Sequence, residues 1–270
     1  MRVKVYCDFE EAIDPVIEAD RPIDLVIDYG IPSYLSEPKK EGVFVIFATI
    51  QPEGQYNNDI INNQGRFDVL LTFIPELLKL PKARFFIGCT AFCTPGITDK
   101  IFGVSAVFSG RNCLPGHKLR FELWKRRHEI KIPRYFYVGD RTPFPYPIED
   151  GIRLPATKSA KNEVMKTMFH IAIDSYDYPN SFSEKLIDPL ITGTIPIYWG
   201  ASNINFYFHI EGLMVSIYRF GNVDQIIDIC NNLKPEHYHT DLDNYMYAMQ
   251  YHNYADCLQR EINKICERLK

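Results

Sequence analysis

Residues 169–208 read FHIAIDSYDYPNSFSEKLIDPLITGTIPIYWGASNINFYF. The run 169–173 is short and apolar, and a polar loop follows it. The next segment, 183–192, has apolar residues at helical spacing, and 195–199 is apolar again. Strand, loop, helix and strand in that order make a βαβ unit with parallel strands. Asp174 and Ser175 then stand at the C-terminal end of the first strand, the edge where open α/β sheets bind ligands. Ser183 is placed to cap the helix, which puts Glu184 and Lys185 in its first turn. Free backbone N–H groups there favour phosphate. Lys185 adds a full positive charge, and Glu184 is able to accept from ribose or sugar hydroxyls. Glu184 also fits as an ordinary first-turn acid and Lys185 as a solvated surface residue, so spacing alone leaves both readings open.

The same alternation extends in both directions. Residues 3–7, 24–28, 42–49, 67–73 and 84–88 read as five short strands of the buried, nearly continuous apolar kind. The link 75–80 has room for a turn or two of helix. A Thr-, Pro- and Gly-rich loop covers 90–98. Beyond it come a strand at 102–109, a charged helix at about 117–129, a strand at 135–138, a proline-rich loop at 139–155 and a helix at 160–167. A strand at 213–217, a helix at 223–233 and a tail of one or two helices from 241 to 269 complete the chain. Residues 1–98 are expected to form one Rossmann-like domain and 99–270 a second.

The 270 residues carry a formal net charge of −4, with 46% hydrophobic and 24% charged residues. That is an ordinary globular balance, and it argues against a dedicated nucleic-acid binder, which is strongly basic. No run reaches the ~18 apolar residues that span a bilayer. The N-terminus alternates apolar with charged residues and does not read as a signal peptide. A cytoplasmic or otherwise soluble protein is expected. The seven cysteines are odd in number and irregular in spacing. They read as reduced, mostly buried thiols.

The string SEKLIDPLITGTIPIYWGASNINFYF resembles the donor signature of the fucosyltransferases of glycosyltransferase family 10. The matching residues are Glu184, Lys185, Pro196, Ile197, Tyr198, Trp199 and Gly200. A second match lies in residues 109–130, SGRNCLPGHKLRFELWKRRHEI, where Arg120 aligns with an arginine that contacts the donor diphosphate. A fainter one runs through FVIFATIQPEG and FDVLLTF. The resemblance implies a GT-B type fold, two Rossmann-like α/β domains with parallel sheets facing a cleft, acceptor side first. It implies an inverting transfer from a nucleotide sugar, GDP-fucose first, to a glycan hydroxyl. The donor set it implies is Arg120, Asp174, Ser175, Ser183, Glu184 and Lys185. Four positions depart from the pattern. Asp174 and Ser175 replace Glu and Asn, Ser181 replaces an aromatic residue, and Ser183 replaces threonine. They keep open another donor such as UDP-xylose, or a relative that binds without turnover.

Inverting transfer needs a carboxylate that deprotonates the acceptor hydroxyl. The aligned position holds Gln51, which cannot do so. Glu53, two residues on, is the first candidate for the base and Asp8 the second. No metal or other cofactor is expected. The one Asp-x-Asp, Asp241-Leu242-Asp243, precedes a helix and reads as capping acids.

Overall fold

The structure, a computed structural model, describes residues 3–7, 17–52, 54–139, 143–149, 151–155, 157, 160–210 and 214–269. They form two compact units, Met1–Thr90 with Asn253–Lys270, and Ala91–His252. The first carries β1 (Lys4–Tyr6), β2 (Ile23–Ile27), α1 (Ile31–Ser36), β3 (Phe44–Ala48), α2 (Asn57–Asn62), β4 (Val69–Thr72) and β5 (Ala83–Phe85). The second begins with β6 (Ile101–Phe108), α3 (Pro115–Arg126), β7 (Arg134–Gly139), β8 (Ile152–Leu154), α4 (Lys161–Val164) and β9 (Thr167–Ile173). It continues with α5 (Glu184–Thr192), β10 (Ile195–Trp199), β11 (Tyr218–Arg219), α6 (Val223–Asn232) and α7 (Leu242–Tyr251). The last helix, α8 (Tyr254–Arg268), belongs to the first unit. Among the described residues no helix is long and apolar enough to cross a membrane.

The first sheet is parallel throughout, in the order β1-β2-β3-β4-β5. When strands are added in sequence order, right-handed crossovers place every connection on one face. Tyr34 of α1 and the rings of Phe67 and Phe47 pack together on that face. The opposite face needs its own cover. The amphipathic α8 supplies it, with Tyr254, Leu258, Ile262 and Ile265 buried against Leu25, Ile27, Ile46, Ala48 and Leu71. This corrects the expected division at residue 98. The tail from 253 folds with the first half because that half lacks a helix for one side of its sheet.

The second sheet is also parallel, in the order β11-β10-β9-β6-β7-β8. The chain winds outward from β6 through β8, returns to lay β9 on the other side of β6, and winds outward again. Ligands of doubly wound sheets bind at the C-terminal ends of the two strands where the order reverses, here β6 and β9. On one face Phe108, Phe169, Ile171 and Ile197 pack against Leu123 and Trp124 of α3 and Ile226 and Ile227 of α6. On β9 the alternate residues, His170 and Ala172, point to the opposite side.

Several expectations at element level shift. The strand expected at 213–217 is found at Tyr218–Arg219, and the helix expected over 160–167 is a single turn because Thr167 already begins β9. The proline-rich stretch contains β8. Elements this short carry too few residues for periodicity to register.

His170 is buried and its Nδ1 lies 2.8 Å from the Ser105 hydroxyl. Burial, and then the Lys161 charge, push its imidazole down to about 3. An unfolded histidine titrates near ~6.5, so between those values the unfolded chain binds the extra proton and stability rises with pH. His170→Asn should therefore flatten the fall in unfolding free energy between pH 7 and pH 5. Denaturant titrations at both pH values measure this, and an unchanged slope contradicts it.

Candidate functional site

The C-terminal end of β9 is held by three elements at once. The backbone N–H of Asp174 donates to the Trp199 carbonyl at 2.8 Å, which extends the pairing with β10 by one residue. The Asp174 carboxylate is buried. Its Oδ2 accepts from the Tyr198 hydroxyl at 2.6 Å, and its Oδ1 accepts from the hydroxyl of Ser183. Burial raises this carboxyl above the usual aspartate range, opposed by the Lys185 charge and by the hydrogen bonds from Ser183 and Tyr198. The Tyr198 oxygen accepts in turn from the Ala201 N–H at 2.9 Å. Gly200 is required here, because a Cβ would lie 2.3 Å from the Tyr198 oxygen and 2.6 Å from Asp174 Oδ2.

Two helices of the second unit start at this point. Ser183 caps α5, its oxygen taking the Lys185 N–H at 3.3 Å. The Lys185 ammonium lies 2.8 Å from Glu184 Oε1 and 3.4 Å from the Ser183 oxygen. Glu184 is mostly buried. Burial raises its carboxyl, but Lys185 and Lys161 outweigh that and hold it down at about 2. The other helix, α3, begins with Pro115, whose fixed φ suits a first helical position. The N–H of Gly116 donates to the Ser175 carbonyl at 3.1 Å. A Cβ at Gly116 would fall 1.7 Å from the Asp174 oxygen, so only glycine lets α3 approach β9 this closely.

Arg120, one turn into α3, is buried, and its guanidinium donates to the Ile173 carbonyl at 2.8 Å. Burial pushes it down, while Asp174 and Glu184 act the other way. It remains a cation, since arginine starts far above neutral pH. His117 is buried beside it. Its Nδ1 accepts the Leu114 N–H at 3.3 Å, which leaves the proton on Nε2. Burial first, then Arg120, Arg111 and Lys185, press its imidazole down to about 4, so it is neutral near pH 7. The structure thus brings Arg120, Asp174, Ser183, Glu184 and Lys185 to one place at the strand-order reversal, with Ser175 contributing its carbonyl. The N-terminus of α5 and the positive dipole end of α3, whose first N–H is taken by the Ser175 carbonyl, share that place with Arg120 and Lys185. Chemically it suits a multiply charged anion.

Two other basic residues of α3 are engaged elsewhere. Arg126 pairs with Glu129 at 2.8 Å and Asp224 at 2.7 Å, and Lys125 stands over the Tyr146 ring. In the first unit a recess lined by Arg21, Lys39, Lys40, Glu41 and Asp68 lies at the N-terminal edge of the sheet. Its lysines are partnered, Lys39 by Asp68 at 3.4 Å and Lys40 by Asp24 at 3.3 Å. Both candidates for the base, Glu53 and Asp8, lie outside the described residues. Gln51, where the base was expected, has its backbone N–H held by Asp28 Oδ2 at 2.7 Å, and Asp28 also holds Ile50. Asp241 caps α7 through the Asn244 N–H at 2.8 Å, as expected.

Sequence reading missed the roles of Tyr198, Gly116, His117 and Lys161. Tyr198 carried a signal: it has the one hydroxyl in the strand IPIYW, and a buried phenol needs a partner. The others gave none, because they act through contacts between distant segments.

No protein-family model matches the chain, and no curated protein matches it at a significant level. Solved structures do resemble it. TarM superposes with a TM-score of 0.53 at 9% identity, covering 92% of this chain and 54% of TarM. A mutant of S. aureus TarM in complex with fondaparinux, alpha-GlcNAc-glycerol and UDP gives 0.51 at 9%, covering 90% and 54%. An alpha1,3-fucosyltransferase with GDP gives 0.48 at 18%, covering 94% and 92%. The chain spans about half the length of TarM. The likeness to TarM, with the two parallel sheets, establishes a GT-B type α/β fold.

The bracing of Asp174 makes a direct prediction. Tyr198→Phe removes one buried hydroxyl and leaves Asp174 Oδ2 and the Ala201 N–H each short of a partner. Groups orphaned in this way cost about 1–3 kcal/mol. Urea unfolding of the variant should show that loss, and a change below ~0.5 kcal/mol, the size of a neutral surface substitution, would show the hydroxyl to be dispensable.

Proposed function

We propose that the chain is an inverting glycosyltransferase that moves a sugar, fucose from GDP-fucose first, from a nucleotide donor to a glycan hydroxyl. One observation carries the reading: two helix N-termini and two cations, Arg120 and Lys185, gather at the strand-order reversal of the second sheet. When the acceptor oxygen attacks C1, the bond from C1 to the diphosphate breaks and its electron pair stays on the phosphate. Fixed cations and backbone N–H groups stabilise that charge as it develops. Arg120 and Lys185 flank the diphosphate in this account, and Glu184 accepts from donor hydroxyls. A GT-B neighbour whose structure holds UDP supports a nucleoside diphosphate as the ligand. The Tyr198-Trp199-Gly200 match supports fucose, and the departures at Asp174, Ser175, Ser181 and Ser183 make UDP-xylose the alternative donor.

Replacing Arg120 or Lys185 by Ala removes a charge-assisted contact worth about 1.5–3 kcal/mol, roughly ten- to a hundredfold in donor affinity. Calorimetric titration of GDP and UDP sugars into each variant measures this. Unchanged affinity in both variants would sink the reading.

The base is assigned to Glu53, with Asp8 second. The proton leaves the acceptor hydroxyl as its oxygen attacks, and a carboxylate takes it. Glu53→Gln or Asp8→Asn should lower turnover by about a hundred- to ten-thousandfold while donor affinity holds. The reading routes no step through a metal, so parent turnover should persist in EDTA. Full turnover in both variants places the base elsewhere. A parent that binds donors and never turns over is the non-catalytic relative instead.

A further inference from the structure

One ammonium in the second unit faces two acids on successive turns of α5. Lys161, at the start of α4, has its Nζ 3.7 Å from Glu184 Oε1 and 3.9 Å from Asp188 Oδ2. Glu184 and Asp188 are four residues apart and share a helix face. Asp188 is fully buried, with Oδ1 accepting the N–H groups of Phe92 at 2.8 Å and Cys93 at 3.0 Å. Among the described residues its buried Oδ2 has no hydrogen-bond partner, so Lys161 is the charge set against it. The same ammonium stands 4.1 Å from the centre of the Phe92 ring. Asn162, next to Lys161, accepts the Thr94 N–H at 3.0 Å and fixes α4 to that same segment. Lys161 is therefore held on several sides, and one of them is the acid at the mouth of α5.

We infer that Lys161 is a positioning residue of the donor site: it holds the Glu184 carboxylate charged and aimed to accept from a hydroxyl of the nucleotide sugar. The inference rests on the function proposed above. Lys185 grips Glu184 Oε1 from within the first turn, and a diphosphate would draw Lys185 away from it. Lys161 lacks that second task. Its charge is spread between Glu184 and Asp188, so Glu184 stays countered when Lys185 turns to the phosphates. The other charges acting with Glu184 are Arg120, Asp174 and Asp188. The two aspartates oppose its ionisation, and Lys161 offsets them.

The test is calorimetric titration of GDP-fucose and UDP-xylose into the full chain from pH 5 to pH 8. Lys161→Met should weaken whichever donor the parent binds about tenfold or more, the loss expected when an acceptor is no longer held in place. Glu184 in the parent is held down at about 2, so parent binding is flat over this range as far as this group is concerned. Without Lys161 its carboxyl titrates higher, and since the protonated form cannot accept, binding should fall further as pH drops towards 5. Lys161→Arg should restore both affinity and pH profile. Lys161→Met also strands Asp188, whose carboxyl burial raises to about 6, inside this range; the pair Lys161→Met with Asp188→Asn removes that group and its titration, yet should show the same weakened, acid-sensitive binding. Asp188→Asn alone should bind as the parent does. Parent-like binding by the paired variant at every pH overturns the inference and leaves the proposed function standing. Failure of Lys161→Arg to restore binding assigns the effect to packing and also overturns it. A parent that binds no nucleotide sugar fails the proposed function and this inference together.

Discussion

The buried carboxylate of Asp174 is the interaction on which the second unit's site depends. It ends β9 and receives the hydroxyls of Tyr198 at the end of β10 and of Ser183 at the start of α5, while the backbone carbonyl of the same residue lies against Gly116 at the start of α3. A buried carboxylate without such donors would be costly. With them it fixes where α5 begins, and the backbone of Asp174 and Ser175 beside it receives the start of α3. Gly116 and Gly200 follow from the same constraint, because each occupies space that a methyl group would share with an Asp174 oxygen or the Tyr198 hydroxyl. The motif ending in Tyr198-Trp199-Gly200 is, physically, a brace for the strand end beside it.

From that brace the electrostatics follow. Helix starts that are fixed in place present backbone N–H groups at fixed positions, and Arg120 and Lys185 add full charges to them. His117, buried among these cations, is held neutral and adds no charge of its own. Glu184 stays ionised because two lysines outweigh its burial. The outcome is a site with a cationic side and one charged carboxylate acceptor beside it. The basic recess of the first unit has lysines but each is matched by an acid, and among the described residues no helix of the unit starts there.

Much of this was legible in the sequence, and the reason differs by residue. The strand Ile195–Trp199 and the cap at Ser183 were readable because apolar runs and capping residues act locally. The alternation of strand and helix indicated parallel sheets for the same reason. Strand order was not readable, and neither was the return of α8 to the first sheet, because both depend on which face of a sheet lacks cover. Lys161 is one of three lysines between residues 158 and 166 and becomes informative only beside Glu184 and Asp188. Gln51 marks where the resemblance and the chemistry part, and the acids that would replace it, Glu53 and Asp8, lie outside the described residues.

The central claim is that the helix starts at the end of β9 form the nucleotide diphosphate site. A crystal structure of the chain grown with saturating GDP or UDP tests it most directly. The account predicts the diphosphate at the first turn of α5, within hydrogen-bond distance, about 2.7–3.2 Å, of the Glu184 or Lys185 backbone N–H groups and of the Arg120 guanidinium. A nucleotide seated instead in the recess of Arg21, Lys39 and Lys40, or an α5 start left free at saturation, would contradict it.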